Sequence, residues 1–557
     1  MIKVLDFYSG VGGWSLGFHL AGIPVQRSFE WWDAACETHN INFATNARPV
    51  DIRKLDLESL PKRADYVVGS PPCTQFSYSN RGGNGDIADG LVDIRRFLEV
   101  VRRLRPKAWA MENVPRVAAI LEAEIAPGGS LEEFADLFST IMIVHAEEFG
   151  LPQRRRRMLA GKFDEALLLS YRDKQPKRTL GQVVKALAAP KAIRDPIYGF
   201  SRPRQEVSGL EREMPLSAEE ARMNREAKQY HPIYNVMAYP DPLNKSSRTI
   251  TATCTRVSRE SIVIEDPTAP GAVRRLSVRE RASLQGFPIS FEFHGGSHSD
   301  RLKMVGNAIP PVLTYFLAHC FLGTAAEDVP ALSALGDKMP IATHRAAQMS
   351  PDKAGSRYSK DRRFQAAIPG LRFGSGMRFE LANASRPDGG MDWTVRFFFG
   401  GSKKYRQIAL TQKVIDQIRR HSSWAAMAAA YSCAELAVEK FMEGTTPLGL
   451  QEVWTRKGTG YGPYDLIDCL GAAAEQVAIA AADQKPVWIA NLVAQLATSD
   501  GDSQSEILSA ISKKFSQYDA RVLAGLLIGS CFNEASAKGL WSQEVQDFKL
   551  TAGSGAR

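Results

Sequence analysis

The first part of the chain predicts a doubly wound α/β fold, a mostly parallel sheet with helices on both faces. Short apolar runs of strand length alternate with amphipathic stretches of helix length. A glycine turn, SGVGG, joins the first run to the first helix. Acidic, polar and cysteine-bearing residues gather where the runs end, and such sheets bind their ligands beyond the carboxyl ends of the strands.

Residues 2–7 (IKVLDF) read as a short buried strand, and the glycine turn opens a helix to about Ala21. Residues 24–30 (PVQRSFE) read as the second strand, and Asp33 starts the next helix. Residues 65–69 (DYVVG) are strand-like, and Asp89 to Arg103 is helical. Residues 107–111 (KAWAM) form another strand, and Ser130 reads as the cap of a helix over LEEFADLFSTI. Residues 141–145 and 158–162 supply later strands. The strand ends then carry Asp6 to Gly13, Glu30, Asp51, Ser70 to Cys73, and Glu112 with Asn113.

Composition narrows the class. Among 557 residues, 44% are hydrophobic and 24% charged, which is ordinary for a globular chain. The net charge of +9 suits a polyanionic partner without proving one. The seven cysteines are scattered and never spaced C-x-x-C, so neither a disulfide framework nor a metal site is expected. The start, MIKVLDFYSG, is not a signal peptide, and no run of about 18 apolar residues predicts a membrane span. A reducing, cytoplasmic location is expected.

Gly10, Gly12 and Gly13 permit tight turns and close backbone approach to a ligand. The spacing is G-x-G-G rather than G-x-G-x-x-G, which disfavours a nicotinamide dinucleotide. Glu30 could accept hydrogen bonds from ribose hydroxyls, and Trp31 could cover a purine ring. Taken singly, each reads better as a surface acid or a core aromatic. The stretch GSPPCTQFS is sharper. Pro71 and Pro72 hold the backbone before Cys73 extended and stiff, which fixes where the sulfur points. The polar loop TQFSYSNRGGNGDIADG that follows suits a lid over a reacting thiolate better than a core cysteine. Glu112-Asn113 leaves the next strand end, and Gln153 to Arg157 concentrates positive charge at the same end of the sheet.

Taken together these segments resemble the DNA (cytosine-5)-methyltransferase family. The resemblance runs, in family order, through DFYSGVGG, PPCTQFS, ENV at 112–114, EEFGLPQRRRR at 147–157, RRLSVRERASLQGFP at 274–288 and VGNAIPP at 305–311. It covers about residues 1–325 and implies an S-adenosylmethionine-dependent methyltransferase fold with a small target-recognition domain. It implies that the Cys73 thiolate attacks ring carbon 6 of a flipped-out cytosine in double-stranded DNA. Glu112 would then hold ring nitrogen 3 and the exocyclic amine, Arg157 the base carbonyl, and Arg155 would support it. Asn113 would brace the loop. For the cofactor it implies Tyr8, where the family usually has phenylalanine, with Gly10, Val11, Gly12 and Gly13 along the methionine part. Glu30 would bind ribose, Trp31 the adenine face, Asp51 and Ile52 the adenine edge, with Pro72 and Asn307 completing the site. The chain has PPCT where the family often has PPCQ, a replacement found among its members.

The same resemblance divides the chain into a catalytic and cofactor-binding domain at 1–163, completed by 289–325, and a target-recognition region at 164–288. DNA contacts are expected from Ser79, Lys245, Arg248 and Arg256, to bases or to phosphates. Residues 326–372, rich in Ala, Pro, Ser, Lys and Arg, read as a linker. Residues 373–549 read as an α-rich α+β accessory domain: an antiparallel sheet over 377–411, then helices at 412–442, 464–483, 486–498, 503–516 and 518–534. Contact with DNA or oligomerisation is its expected role, and a chain ending at about 325 is expected to keep every methyl-transfer residue. A cognate restriction endonuclease is a possible partner. An RNA-directed enzyme and a catalytically silent DNA-binding module are the alternatives.

Overall fold

The computed structural model describes residues 2–76, 85–229, 236–352, 358–373, 377–399, 405–407, 420, 424–482 and 519–542. Six strands form the central sheet: β1 (Val4–Phe7), β2 (Arg27–Phe29), β3 (Tyr66–Gly69), β4 (Ala108–Asn113), β5 (Thr140–His145) and β6 (Arg156–Lys162). Their spatial order is β2-β1-β3-β4-β6-β5. The first four run parallel, while β6 is antiparallel to both β4 and β5. Helices α1 (Gly13–Leu20), α2 (Asp33–Phe43), α3 (Ile87–Leu104) and α4 (Arg116–Ile125) follow the parallel strands.

Why these segments fold this way follows from their side chains. Residues of β1 and β3 point alternately to two apolar layers. Val4 and Val68 join one layer, and Leu5, Phe7 and Val67 the other. Both faces are covered, so the strands read as continuous apolar runs. On α3, Ile94, Phe97, Leu98, Val101 and Leu104 form one buried stripe at helical spacing. Its start is capped by the Asp86 side chain, which accepts from the Asp89 backbone N–H at 3.1 Å. The late helix Pro311–Leu322 is buried throughout its first ten residues and packs on α1. Gly17 makes that contact possible, because a Cβ there would sit 2.1 Å from Thr314 Oγ1. This packing accounts for the apolar character of 298–322, a stretch long and apolar enough to cross a membrane by composition alone.

One expected helix is replaced. The stretch after Ser130 makes only a 3-10 turn, Glu132–Leu137, and no side chain caps it. Buried Phe134 anchors the turn, and Thr140–His145, rich in β-branched residues, pairs along β6 instead.

The chain divides into two compact units, 1–229 with 237–354 and 230–236 with 355–557. The first therefore runs past the expected boundary at 325. Leu332 and Leu335 are buried in its core, the Thr343 N–H donates to Ile41 O at 2.9 Å, and the Ala346 N–H donates to Glu292 Oε2 at 3.0 Å. Asp352 pairs with fully buried Arg275 at 2.9 Å. A few well-spaced apolar residues anchor a segment whose Ala, Pro and Ser content reads as linker.

In the second unit, Gln365–Arg372, Met377–Ser385, Met391–Phe399 and Tyr405–Gln407 form an antiparallel sheet in that order. Its first strand also falls within the stretch read as linker. Helices Trp424–Glu443, Pro447–Trp454, Pro463–Ala481 and Asp519–Ala537 accompany it. Gly525 lets the last helix lie close on the sheet, since a Cβ there would meet the Phe379 ring at 2.4 Å. The helices expected at 486–498 and 503–516, and most of 412–423, lie outside the described residues.

Candidate active site

The register of the sheet brings the chemistry-bearing ends together. Gly69 lies opposite Phe7 of β1 and Met111 of β4, so the segment entering Cys73 starts between the glycine turn and Glu112. Ser70 Oγ accepts from the Trp14 indole N–H at 2.9 Å. Asn113 Nδ2 donates to Pro71 O at 3.1 Å, and its Oδ1 accepts from the Val114 N–H at 2.9 Å. The carbonyl ahead of the Pro72–Cys73 step is thus fixed from the neighbouring strand end. Beyond the cysteine, Gln75 Nε2 donates to Asp89 at 3.1 Å and its Oε1 accepts from the Asp86 N–H at 3.0 Å. Helix α3 thereby anchors the loop base. Ser79 lies outside the described residues.

Arg157 Nε stands 2.6 Å from Glu112 Oε1, with both side chains largely buried. Burial pushes the Cys73 thiol above its ordinary pKa; Arg157 draws it down, Glu112 raises it, and Arg155 lowers it. The thiol, the carboxylate and the two guanidinium groups therefore share one electrostatic environment. Arg155 is itself buried and grips backbone carbonyls: Ile250 O at 2.8 Å, Gly306 O at 3.1 Å and Ala308 O at 3.0 Å.

On the other side of β1, Gly10 and Gly12 take φ of +53° and +99°, and Tyr8 takes +54°. A Cβ on Gly13 would lie 2.3 Å from Ile309 O, whereas nothing lies within 4 Å of a Cβ built on Gly10. The turn is closed on its inner side and open at Gly10. Val11 and Ile52 are buried, and the Tyr8 hydroxyl is directed at Asp93, 3.3 Å away. Glu30 accepts from three backbone N–H groups: Gly10 at 2.8 Å, Trp31 at 2.9 Å and Trp32 at 2.8 Å. Burial raises the Glu30 pKa against these bonds. Trp31 is 63% exposed, unusual for an indole, and Asn307 is exposed at the end of the helix His298–Asn307. Asp51 caps the turn Ile52–Lys54, its carboxylate accepting from the Arg53 N–H at 3.1 Å.

The hydrogen bonds that brace the glycine turn from beneath left no sign in the sequence. Beneath the glycine turn, Ser15 Oγ donates to Asp6 at 3.0 Å, and His39 Nε2 lies 3.0 Å from the same hydroxyl. His39 Nδ1 meets Thr45 Oγ1 at 3.2 Å. Burial lowers His39 to about 4 and raises Asp6 well above the usual carboxylate range. Arg53 ties Asp89 at 2.9 Å and Asp93 at 2.7 Å, linking the Asp51–Ile52 segment to the helix that anchors the Cys73 loop.

Two expected DNA contacts are corrected. Arg256 is buried and paired with Glu220 at 2.7 Å, and Arg248 is held by Asp241 at 2.6 Å and by Ser261 O at 3.1 Å. Carboxylates from the surrounding fold satisfy both guanidinium groups, so they brace the region rather than face a ligand. Lys245 remains exposed.

Fold and site together define an α/β methyltransferase. The family model described as C-5 cytosine-specific DNA methylase matches residues 2–321, more than half of the chain. The chain belongs to that family and is a DNA (cytosine-5-)-methyltransferase. It is 28% identical over 351 residues to the type II methyltransferase M.HindV of Haemophilus influenzae, covering 59% of this chain and 99% of that one. It is 27% identical over 332 residues to the type II methyltransferase M.FnuDI of Fusobacterium nucleatum, covering 57% and 93%. Among solved structures, the S. pombe Dnmt2 methyltransferase matches at 17% identity with a TM-score of 0.43, covering 58% of this chain and 99% of that one.

Proposed function

We propose that this protein transfers a methyl group from S-adenosylmethionine to carbon 5 of cytosine within a specific sequence of double-stranded DNA, as part of a restriction-modification or related DNA-marking system. The observation that carries the reading is the Arg157–Glu112 pair at 2.6 Å in the electrostatic reach of Cys73. The type II names of the related methyltransferases support the biological setting.

Carbon 5 of cytosine is a poor nucleophile. Attack by the Cys73 thiolate on ring carbon 6 of a flipped-out base converts the ring to an enamine whose carbon 5 can take a methyl group. Glu112 holds ring nitrogen 3 and the exocyclic amine, and Arg157 the base carbonyl, where charge accumulates as the adduct forms. Arg155 keeps the Arg157 strand in place through its three carbonyl contacts. A base then removes the carbon 5 proton, and Cys73 leaves.

The residues around the glycine turn fit S-adenosylmethionine: the turn is open at Gly10, Glu30 is preset by three N–H groups, and Trp31 presents a free indole face. Tyr8, Gly10, Val11, Gly12 and Gly13 would line the methionine part. Glu30, Trp31, Asp51 and Ile52 would hold the nucleoside, with Pro72 and Asn307 at its margins. When bound, the cofactor supplies the electrophilic methyl group. Bisulfite sequencing of host DNA after expression tests the whole reading. A single methylated sequence context, absent with Cys73→Ser, is expected; unmodified DNA with soluble protein present overturns it.

A further inference from the structure

Four segments that carry separate parts of the proposed reaction meet at one buried polar junction. Gln153 and Gln285 sit at its centre, each with no solvent exposure. The Ile250 backbone N–H donates to Gln153 Oε1 at 2.8 Å. Gln153 Nε2 donates to Gln285 Oε1 at 2.7 Å and to Leu284 O at 3.2 Å. Gln285 Nε2 in turn donates to Ala308 O. The two amides thus form a one-way chain from residue 250 to residue 308, each accepting at one end and donating at the other.

Each end of that chain leads somewhere. Ile250 belongs to the recognition region, whose 247–249 stretch is zipped to the arginine segment: the Arg154 N–H donates to Ser247 O at 2.9 Å, and Thr249 Oγ1 donates to Arg154 O at 2.7 Å. The Thr251 carbonyl accepts from Arg281 at 2.6 Å and presses on Gly306, where a Cβ would lie 2.3 Å from it. Ala308 O also accepts from Arg155, and the next carbonyl, of Ile309, lies against Gly13 of the glycine turn. Gln153 is four residues before Arg157. Two buried amides are costly unless paired, and an apolar pair would fill the same volume. What the amides add is register. A one-residue slip of 247–250 along 152–154 would take the Ile250 N–H away from Gln153 Oε1.

We infer that Gln153 and Gln285 are positioning residues that couple target recognition to the catalytic arginine, by fixing the 247–252 segment against the Arg155–Arg157 strand and the Ala308–Ile309 step. The inference rests on the methyl-transfer reading above. The test uses the full-length chain with Gln153→Met, Gln285→Met, the double change and Gln153→Glu. Turnover and KM are measured on an unmethylated duplex carrying the target sequence and on one with a single base pair changed, with S-adenosylmethionine affinity by calorimetry. Each single Met variant is expected to lose about tenfold or more in kcat. Discrimination between the duplexes narrows, while cofactor affinity stays within about twofold. The double variant should be little worse than either single one, because one broken link already opens the chain. Gln153→Glu should regain activity relative to wild type as pH falls, since the protonated acid again donates toward Gln285, and Gln153→Met should not. Wild-type kcat and discrimination in the Met variants, multiplied losses in the double, or a pH profile of Gln153→Glu matching wild type overturns the inference. A wild-type chain that methylates no DNA fails the underlying reading instead.

Discussion

At the residue scale the site turns on one sulfur and one carboxylate. Cys73→Ser should keep S-adenosylmethionine affinity and lose methylation by about 10⁴-fold or more, because an alkoxide is not available where a thiolate was. Duplex DNA bearing 5-fluorocytosine should trap the wild type covalently, and mass spectrometry should find the adduct on Cys73; a trap on another cysteine contradicts the assignment. Glu30→Ala should weaken cofactor binding by about 1–3 kcal/mol. The cause is now more specific than a lost contact with ribose: Gly10, Trp31 and Trp32 all donate to this carboxylate, so removing it also loosens the turn. Calorimetry reads the change, with DNA affinity in the absence of cofactor as the control. Cys73 and Glu112 were legible because the signal is local, two prolines before one and an Asn after the other. The partners of Asp6, His39 and Gln153 were not, because they lie 9, 24 or 132 positions away. Arg248 and Arg256 misled for the same reason. Their charge is visible in the sequence, and the Asp241 and Glu220 that neutralise it are not visibly theirs.

Elements set how the site responds to acid. Helix α2 presents His39 to α1 through Ser15, in a place where burial lowers the imidazole to about 4 from an ordinary 6.5. Between those values the unfolded chain binds the proton and the folded one does not. Stability is therefore complete above about 6.5 and falls with falling pH, by on the order of 2 kcal/mol at about pH 5. Melting curves at about pH 7 and pH 5 should show a smaller drop for His39→Gln than for wild type; equal drops would remove His39 from the account. Gly13→Ala should cost more than a helix glycine-to-alanine change normally gains, because Ile309 O lies 2.3 Å from the new methyl group. Its expected signature is weakened cofactor binding with a lowered Tm. The strands β1 and β3 were readable, since strands buried on both faces are continuous apolar runs. The failure at 131–141 shows the limit. Glu, Ala and Leu favour a helix there locally, and the pairing of β5 with β6 overrides them.

For the whole molecule, the boundary between units decides what can be cut away. A chain ending at 354 should fold, bind S-adenosylmethionine and methylate the same sequence as the full-length protein. One ending at 325 loses the burial of Leu332 and Leu335, about 1.5–3 kcal/mol each, together with the bonds at Thr343, Ala346 and Asp352. It should be poorly soluble or melt well below the longer form. Equal melting temperatures for the two fragments would return the boundary to 325, and an inactive but folded 1–354 chain would give the second unit a part in catalysis. The linker reading erred because composition averages over a stretch, whereas anchoring needs only a few apolar side chains at the right places. The segment after the helix Pro311–Leu322 has a further consequence, for synthesis. Among the described residues its last anchor is Asp352, which pairs with Arg275, so the first unit lacks this contact until that codon has been translated. At about 5–20 residues per second the interval after position 325 lasts a few seconds, during which the surface later covered by Leu332 and Leu335 should stay open on the nascent chain. Synonymous codons that slow translation there should lengthen chaperone dependence, with no change in the mature protein.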